Sequence, residues 1–187
     1  NLYEELGTNG QNPKVMLIGC ADSRAEPSDI FDAHPGELFV VRNVANLVPP
    51  KDDTAGYHGT SAALEFAVTG LEVEAIVVMG HESCGGIQGC LDGMGHDPKA
   101  GYVGRWVSIM NGARERVLAQ NLPTEDVVFE LELEGVRQSL DNLMSYPFVK
   151  NAVKAGDLEL QGAYFSIIRA RLMLADEAGK FHLVDET

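Results

Sequence analysis

Short unbroken apolar runs, each followed at once by small or polar residues, occur three times in the first 81 positions. Lys14-Val-Met-Leu-Ile-Gly-Cys20, Glu37-Leu-Phe-Val-Val-Arg-Asn43 and Ala75-Ile-Val-Val-Met-Gly-His81 lack the alternation of a half-exposed strand. They predict buried parallel strands that end in functional loops. Between them, residues 27–33 open with proline at a helix start, and residues 59–69 carry Ala63, Leu64, Phe66 and Ala67 on one face, so both stretches predict helices. Alternating strand and helix predict right-handed crossovers and an α/β fold, a parallel-centred mixed sheet flanked by helices on both sides.

The texture changes after residue 81. Gly89, Gly93, Gly95, Pro98, Gly101 and Gly104 predict a loop over residues 89–104. Thr124 reads as an N-cap followed by Glu125 and Asp126, and Val127, Leu131, Val136, Leu140 and Leu143 line a long amphipathic helix ending near Pro147. The chain closes with strand-like residues 158–168 and 171–174, a turn at 176–179 and a last segment at 180–184. Without a repeat or an interdomain linker, 187 residues predict a single domain over residues 1–187.

Composition narrows the function classes. An apolar share of 45% is ordinary for a globular chain, which excludes a disordered tail or a low-complexity scaffold. Twenty-eight Asp and Glu against 14 Lys and Arg give a formal charge of −14, a field that repels phosphate backbones and anionic lipid heads, so neither nucleic acid nor a membrane is an expected partner. Apolar runs such as Ala75-Ile-Val-Val-Met79 fall far short of the ~20 residues of a membrane span, and nothing before Gln11 resembles a signal peptide. A soluble, cytoplasmic protein is the expectation. Three cysteines are too few for a disulfide framework, so each thiol is judged singly.

Candidate chemistry is positional. Cys20 ends the first strand, His81 ends the third, and Cys84 opens a glycine-rich turn three residues on. In open α/β sheets the carboxyl ends of neighbouring strands converge on one crevice, and a Cys₂His set leaves zinc a free fourth position, as catalytic sites do. Two plainer readings stand beside this one: small buried thiols with a core histidine, or a Cys20–Cys84 disulfide worth about 2–4 kcal/mol against roughly 10–16 kcal/mol for bound zinc. Asp22 and Arg24 flank the first cysteine, and a guanidinium that grips a carboxylate bidentately keeps Asp22 ionised and aimed. His34, His58, His96 and His182 have no ligand-like neighbours in sequence; of these, His58 is a candidate proton shuttle. Cys90 reads as a structural helix thiol and Trp106 as a packing anchor. A tyrosine-phosphatase loop fails because Glu26 stands where its arginine belongs, and a P-loop fails because Gly86 and Ile87 follow Gly85.

Taken together, Cys20-x-Asp22-x-Arg24, the block His34-Pro-Gly-Glu-Leu-Phe-Val-Val-Arg-Asn-Val-Ala-Asn46 and Gly80-His81-x-x-Cys84-Gly85-Gly86 resemble the β-class carbonic anhydrases, over about residues 11–162. The resemblance implies that Cys20, His81 and Cys84 are zinc ligands and that Asp22 and Arg24 gate and orient the fourth site. The activity it implies is zinc-dependent reversible hydration of carbon dioxide to bicarbonate and a proton. It further implies that Gln11 enters a neighbouring subunit's pocket, that Phe39, Val44 and Phe66 wall in carbon dioxide, that Gly85 contacts substrate, and that the protein is a homodimer or a dimer of dimers. Some positions depart from the family pattern. Phe66 replaces the tyrosine of plant-type members, and Leu17 stands where members with a non-catalytic bicarbonate site carry tryptophan, which argues against that subtype although Arg42 fits it. Ala170 falls where a turn glycine is usual, and the helical arm that clasps a partner is largely missing. The same metal could instead attack carbonyl sulfide or carbon disulfide. A fourth position closed by Asp22 would give a non-catalytic, zinc-stabilised interaction protein.

Overall fold

The computed structural model describes residues 1–54, 56–97 and 99–184. The apolar runs become β1 (Val15–Cys20), β2 (Leu38–Asn43) and β3 (Ala75–His81), followed by β4 (Glu159–Ser166), β5 (Arg171–Ala175) and β6 (Phe181–Leu183). They form one sheet in the order β2-β1-β3-β4-β5-β6. The first four strands of that order are parallel, and β5 and β6 add antiparallel at one edge. Ala170 makes the β4–β5 turn with a left-handed φ of 47°, which explains why glycine would suit that position.

This order sets where a site forms. From β1 the chain leaves towards β2 on one side, and from β3 it leaves towards β4 on the other, so β1 and β3 are adjacent strands whose connections diverge. The crevice beyond the carboxyl ends of such a pair is the preferred ligand site of open α/β sheets. Cys20 and His81 are the last residues of these two strands.

Eight α-helices are present among the described residues: α1 (Leu2–Asn9), α2 (Pro27–Ile30), α3 (Gly59–Glu65), α4 (Gly85–Leu91), α5 (Gly101–Val107), α6 (Asn111–Leu118), α7 (Thr124–Leu143) and α8 (Pro147–Ala155). Several differ from the sequence expectation. α2 is a single turn. α3 gives way to a π-helical turn over Phe66–Gly70, and this wider turn leaves Leu64 and Ala67 buried but Phe66 51% exposed. Residues 89–104 are not a loop: α4, a 3-10 turn at Met94–His96 and α5 occupy them. Two of the glycines there serve close packing, since a Cβ on Gly89 would lie 2.6 Å from Met94 Sδ and one on Gly104 would lie 2.8 Å from the Met94 carbonyl. Pro98 lies outside the described residues. Thr124 is the first helical residue of α7 and not its cap, and Pro147 starts α8 at the position where proline is favoured.

Two cores result. Met16, Ile18, Ile76, Val78 and Tyr164 of the sheet pack against Leu64, Val136, Leu143 and Val149 from α3, α7 and α8. Cys20, Cys84, Ile87, Cys90, Val107, Met110 and Leu131 form the second, a helical cap at the carboxyl end of the sheet. The opposite face, with Leu17, Met79 and Ala163 at its centre, is covered more thinly, by Ile30 and Phe31 and by partly buried Phe165 and Leu172. Among the described residues no helix is long and apolar enough to cross a membrane.

Candidate metal centre

Cys20, His81 and Cys84 are all buried, and their ligand atoms lie within 4.8 Å of one another. The two sulfurs are 3.9 Å apart, close to the ~3.8 Å edge of a tetrahedron with 2.3 Å zinc–sulfur bonds. His81 Nδ1 donates to the Glu82 carbonyl at 2.9 Å, which leaves the Nε2 lone pair as the free donor. That Nε2 is buried and has no hydrogen-bond partner among the described residues, an arrangement that is costly unless a metal takes it. The two sulfurs share one hydrogen bond, which holds Cys20 below the ordinary thiol range, while that contact and burial hold Cys84 above it. The donor set and its spacing therefore fit zinc.

Asp22 stands beside the cluster but is held by its neighbour. Its Oδ1 accepts from the Arg24 amide and Nε at 2.9 Å each, and its Oδ2 accepts from Arg24 Nη2 at 2.7 Å. This grip keeps the Asp22 carboxyl well below the usual carboxylate range. Arg24 Nη2 also donates to the Ser83 carbonyl at 3.1 Å, tying the dyad to the turn between His81 and Cys84. Asp22 Oδ2 comes to 3.9 Å from His81 Nε2, yet the carboxylate is not a member of the three-residue cluster.

Backbone strain gathers around the cluster. Ala45, Asn46 and Ser83 all take left-handed conformations, at φ of 65°, 48° and 58°. Gly86 permits a close approach here: a Cβ there would lie 2.7 Å from Val44 Cγ1 and 2.9 Å from the Ala45 Cβ. Gly85, the first residue of α4, faces open space instead.

The expected pocket residues separate into two groups. Val44 lies against Gly86, two residues after Cys84, is 38% exposed, and its carbonyl accepts from Trp106 Nε1 at 2.7 Å. Trp106 thus has a polar anchor as well as its packing role. Phe39 and Phe66 pair with each other, their centroids 5.9 Å apart. Phe39 is opposite Met16, four residues before Asn43, whose partner is Cys20, so it sits about 13 Å back along the strand from the metal cluster of its own chain. Gln11 is exposed between α1 and β1.

Two residues that the sequence reading does not pick out as organisers of the site stand out in the structure. Glu132 on α7 is 3% exposed; its Oε1 accepts from the Cys84 amide at 3.0 Å and its Oε2 from the Tyr164 hydroxyl at 2.7 Å. Burial pushes the Glu132 carboxyl up, and the two donors oppose that shift. The second is Arg42, which enters the sequence reading only through its fit to a subtype. It donates to the carbonyls of Cys20 at 2.8 Å and Asp22 at 2.6 Å and pairs with Glu26, clamping the loop that carries the Asp22–Arg24 dyad. Replacing Arg42 with Gln leaves these carbonyls without their donor. The expected outcome is a loss of about 2 kcal/mol in unfolding free energy with zinc retained, checked by urea titration and elemental analysis.

A family profile described as carbonic anhydrase matches residues 15–172, a span that includes the whole cluster. Beta carbonic anhydrase 6, mitochondrial, of Arabidopsis thaliana is 42% identical over 162 residues, covering 84% of this chain and 54% of that protein. Beta carbonic anhydrase 3 of the same plant is 40% identical over 172 residues, covering 90% and 66%. The chain therefore spans between about half and two thirds of the length of these curated relatives. Among solved structures, the β-carbonic anhydrase CcaA superposes with a TM-score of 0.88 at 32% identity, covering 99% of this chain and 83% of that one. A tetrameric β-carbonic anhydrase of the ascomycete Sordaria macrospora gives 0.75 at 32% identity, covering 92% and 84%.

Proposed function

This chain belongs to the β-carbonic anhydrases, and on that premise we propose that it catalyses the reversible hydration of carbon dioxide to bicarbonate and a proton. Residues 1–187 act in this as one domain. The observation that carries the reading is the set of three buried ligands with Asp22 held aside by Arg24, which leaves a fourth metal position open to substrate water.

The cofactor is zinc, held by Cys20, His81 and Cys84. Lewis acidity towards water is the chemistry the metal supplies when bound. The protein does the rest. Asp22, kept ionised by Arg24, can only accept hydrogen bonds, so it would accept one from the O–H of the reacting water and so orient the oxygen towards carbon dioxide. Arg24 braces Asp22 against the Ser83 carbonyl, and His81 is fixed in one tautomer by Glu82. Val44 gives the apolar gas a dry wall, and the open face of Gly85 lets substrate approach the start of α4.

Gln11, Phe39 and Phe66 serve the pocket of a second subunit, so the working form is a homodimer or a dimer of dimers. The distance of Phe39 from its own chain's cluster, the half-exposed Phe66 and the tetrameric Sordaria relative support this assembly. Two cysteines kept for a metal and a third, Cys90, outside any disulfide suit a cytoplasmic setting, where thiols stay reduced.

Stopped-flow hydration assays on protein of measured metal content test the reading. About one zinc per chain and a rate that rises with zinc loading are expected. A fully loaded protein that leaves carbon dioxide hydration at the buffer rate would overturn it, and an active monomer in light scattering would overturn the assembly.

A further inference from the structure

Where β2 ends, the surface opens into a cavity of about 430 Å³, lined by Asn43, Val44, His58, Thr60, Tyr102 and Trp106 among others. Two of its lining residues adjoin the segments that carry the ligands: Asn43 is paired with Cys20 across the sheet, and Val44 abuts Gly86, two residues after Cys84. Its outer rim is solvent-facing, with Tyr57 and Tyr102 almost fully exposed. The lining includes one imidazole, that of His58.

The geometry of His58 determines which nitrogen is available. Its Nε2 lies 3.1 Å from the Thr54 carbonyl, which can only accept, so in the neutral ring Nε2 carries the hydrogen and Nδ1 keeps its lone pair. No hydrogen bond to Nδ1 exists among the described residues. His58 is exposed and lines the cavity, so its ring adjoins both the cavity and bulk solvent.

We propose that His58 is the proton-transfer residue of this site. The assignment rests on the carbonic anhydrase reading, in which each hydration releases one proton. That proton crosses the cavity to His58 Nδ1 and makes an imidazolium whose Nε2–H stays on the Thr54 carbonyl. An external base then removes the Nδ1 proton and restores the neutral ring, with no other bond changed.

The test compares the zinc-loaded parent and His58→Ala in stopped-flow hydration, in dilute and in concentrated buffer. In dilute buffer kcat should fall on the order of tenfold in the variant while kcat/KM stays at the parent value, because proton export follows the step that kcat/KM reports. Added imidazole should restore kcat in His58→Ala and do little to the parent. An unchanged kcat in dilute buffer, or kcat and kcat/KM falling together without imidazole rescue, would overturn the assignment while leaving the activity intact. A parent that is itself inactive when loaded would overturn the activity, and this assignment with it.

Discussion

Replacing His81 with alanine is expected to give a protein that purifies with little zinc and hydrates carbon dioxide at the background rate. The imidazole contributes a single buried donor atom that no described residue partners, so nothing nearby can substitute for it. Loss of an outer partner of a ligating histidine already costs about 10–100-fold in metal affinity, and loss of the ligand atom itself should cost more. Binding energy at such a site is also folding energy, so added zinc should raise the thermal midpoint of the parent and not that of the variant. Elemental analysis and a thermal melt with and without zinc check this directly. A His81→Ala protein that keeps one zinc per chain would remove the residue from the ligand set.

The Arg24→Ala variant should behave in the opposite way, keeping its zinc while losing activity by about 100-fold. Arg24 occupies both Asp22 oxygens, and without it the carboxylate is free to turn towards His81 Nε2, only 3.9 Å away, and close the open position. The pH response has a definite sign. Arg24 holds the Asp22 carboxyl below its ordinary range, so its contribution to stability is complete above the unfolded value near 3.9 and is lost progressively as pH falls from there through the lower folded value. In the variant the carboxyl returns towards that ordinary range. The parent should therefore exceed the variant in unfolding free energy above about pH 4, and the difference should shrink towards zero in stronger acid, measured by denaturant titration of each protein across that range. Arg24→Ala turning over at the parent rate would show that the guanidinium does not gate the site.

Much of this was legible because strand ends carry their own signal. Three apolar runs ending in Cys20, Asn43 and His81 need only composition and spacing to be read, and their parallel order follows from the helices between them. The helices from Gly85 to Leu118 are harder to read. Gly89 and Gly104 serve close approach between neighbouring helices, and in a one-dimensional string that use of glycine is indistinguishable from turn chemistry. Phe66 is misplaced for a related reason, since a face counted at helical period assumes an unbroken α-helix and the π-helical turn shifts it.

Glu132 is obscured by its company. Between Glu130 and Glu134 it reads as one more solvated charge, and only its spacing to Val136, Ser139 and Leu143, all buried on the same helix, marks it as inward-facing. Arg42 is similar: a charged residue near the end of a buried strand has no visible purpose until the fold places the Cys20 and Asp22 carbonyls around it.

The Glu132 carboxylate also bears on how the metal turn moves. It bridges the Cys84 amide to Tyr164 in β4 from a 20-residue helix whose inner face is packed on the sheet. The Cys84 amide can exchange its hydrogen with solvent only when that carboxylate lets go, and the carboxylate is held on its other oxygen by Tyr164 of β4. Ligand-bearing turns often breathe independently of the core beneath them. Here the turn is tied to the longest helix among the described residues, so the Cys84 amide is expected to exchange together with the slow amides of α7, a result that native-state hydrogen exchange would check.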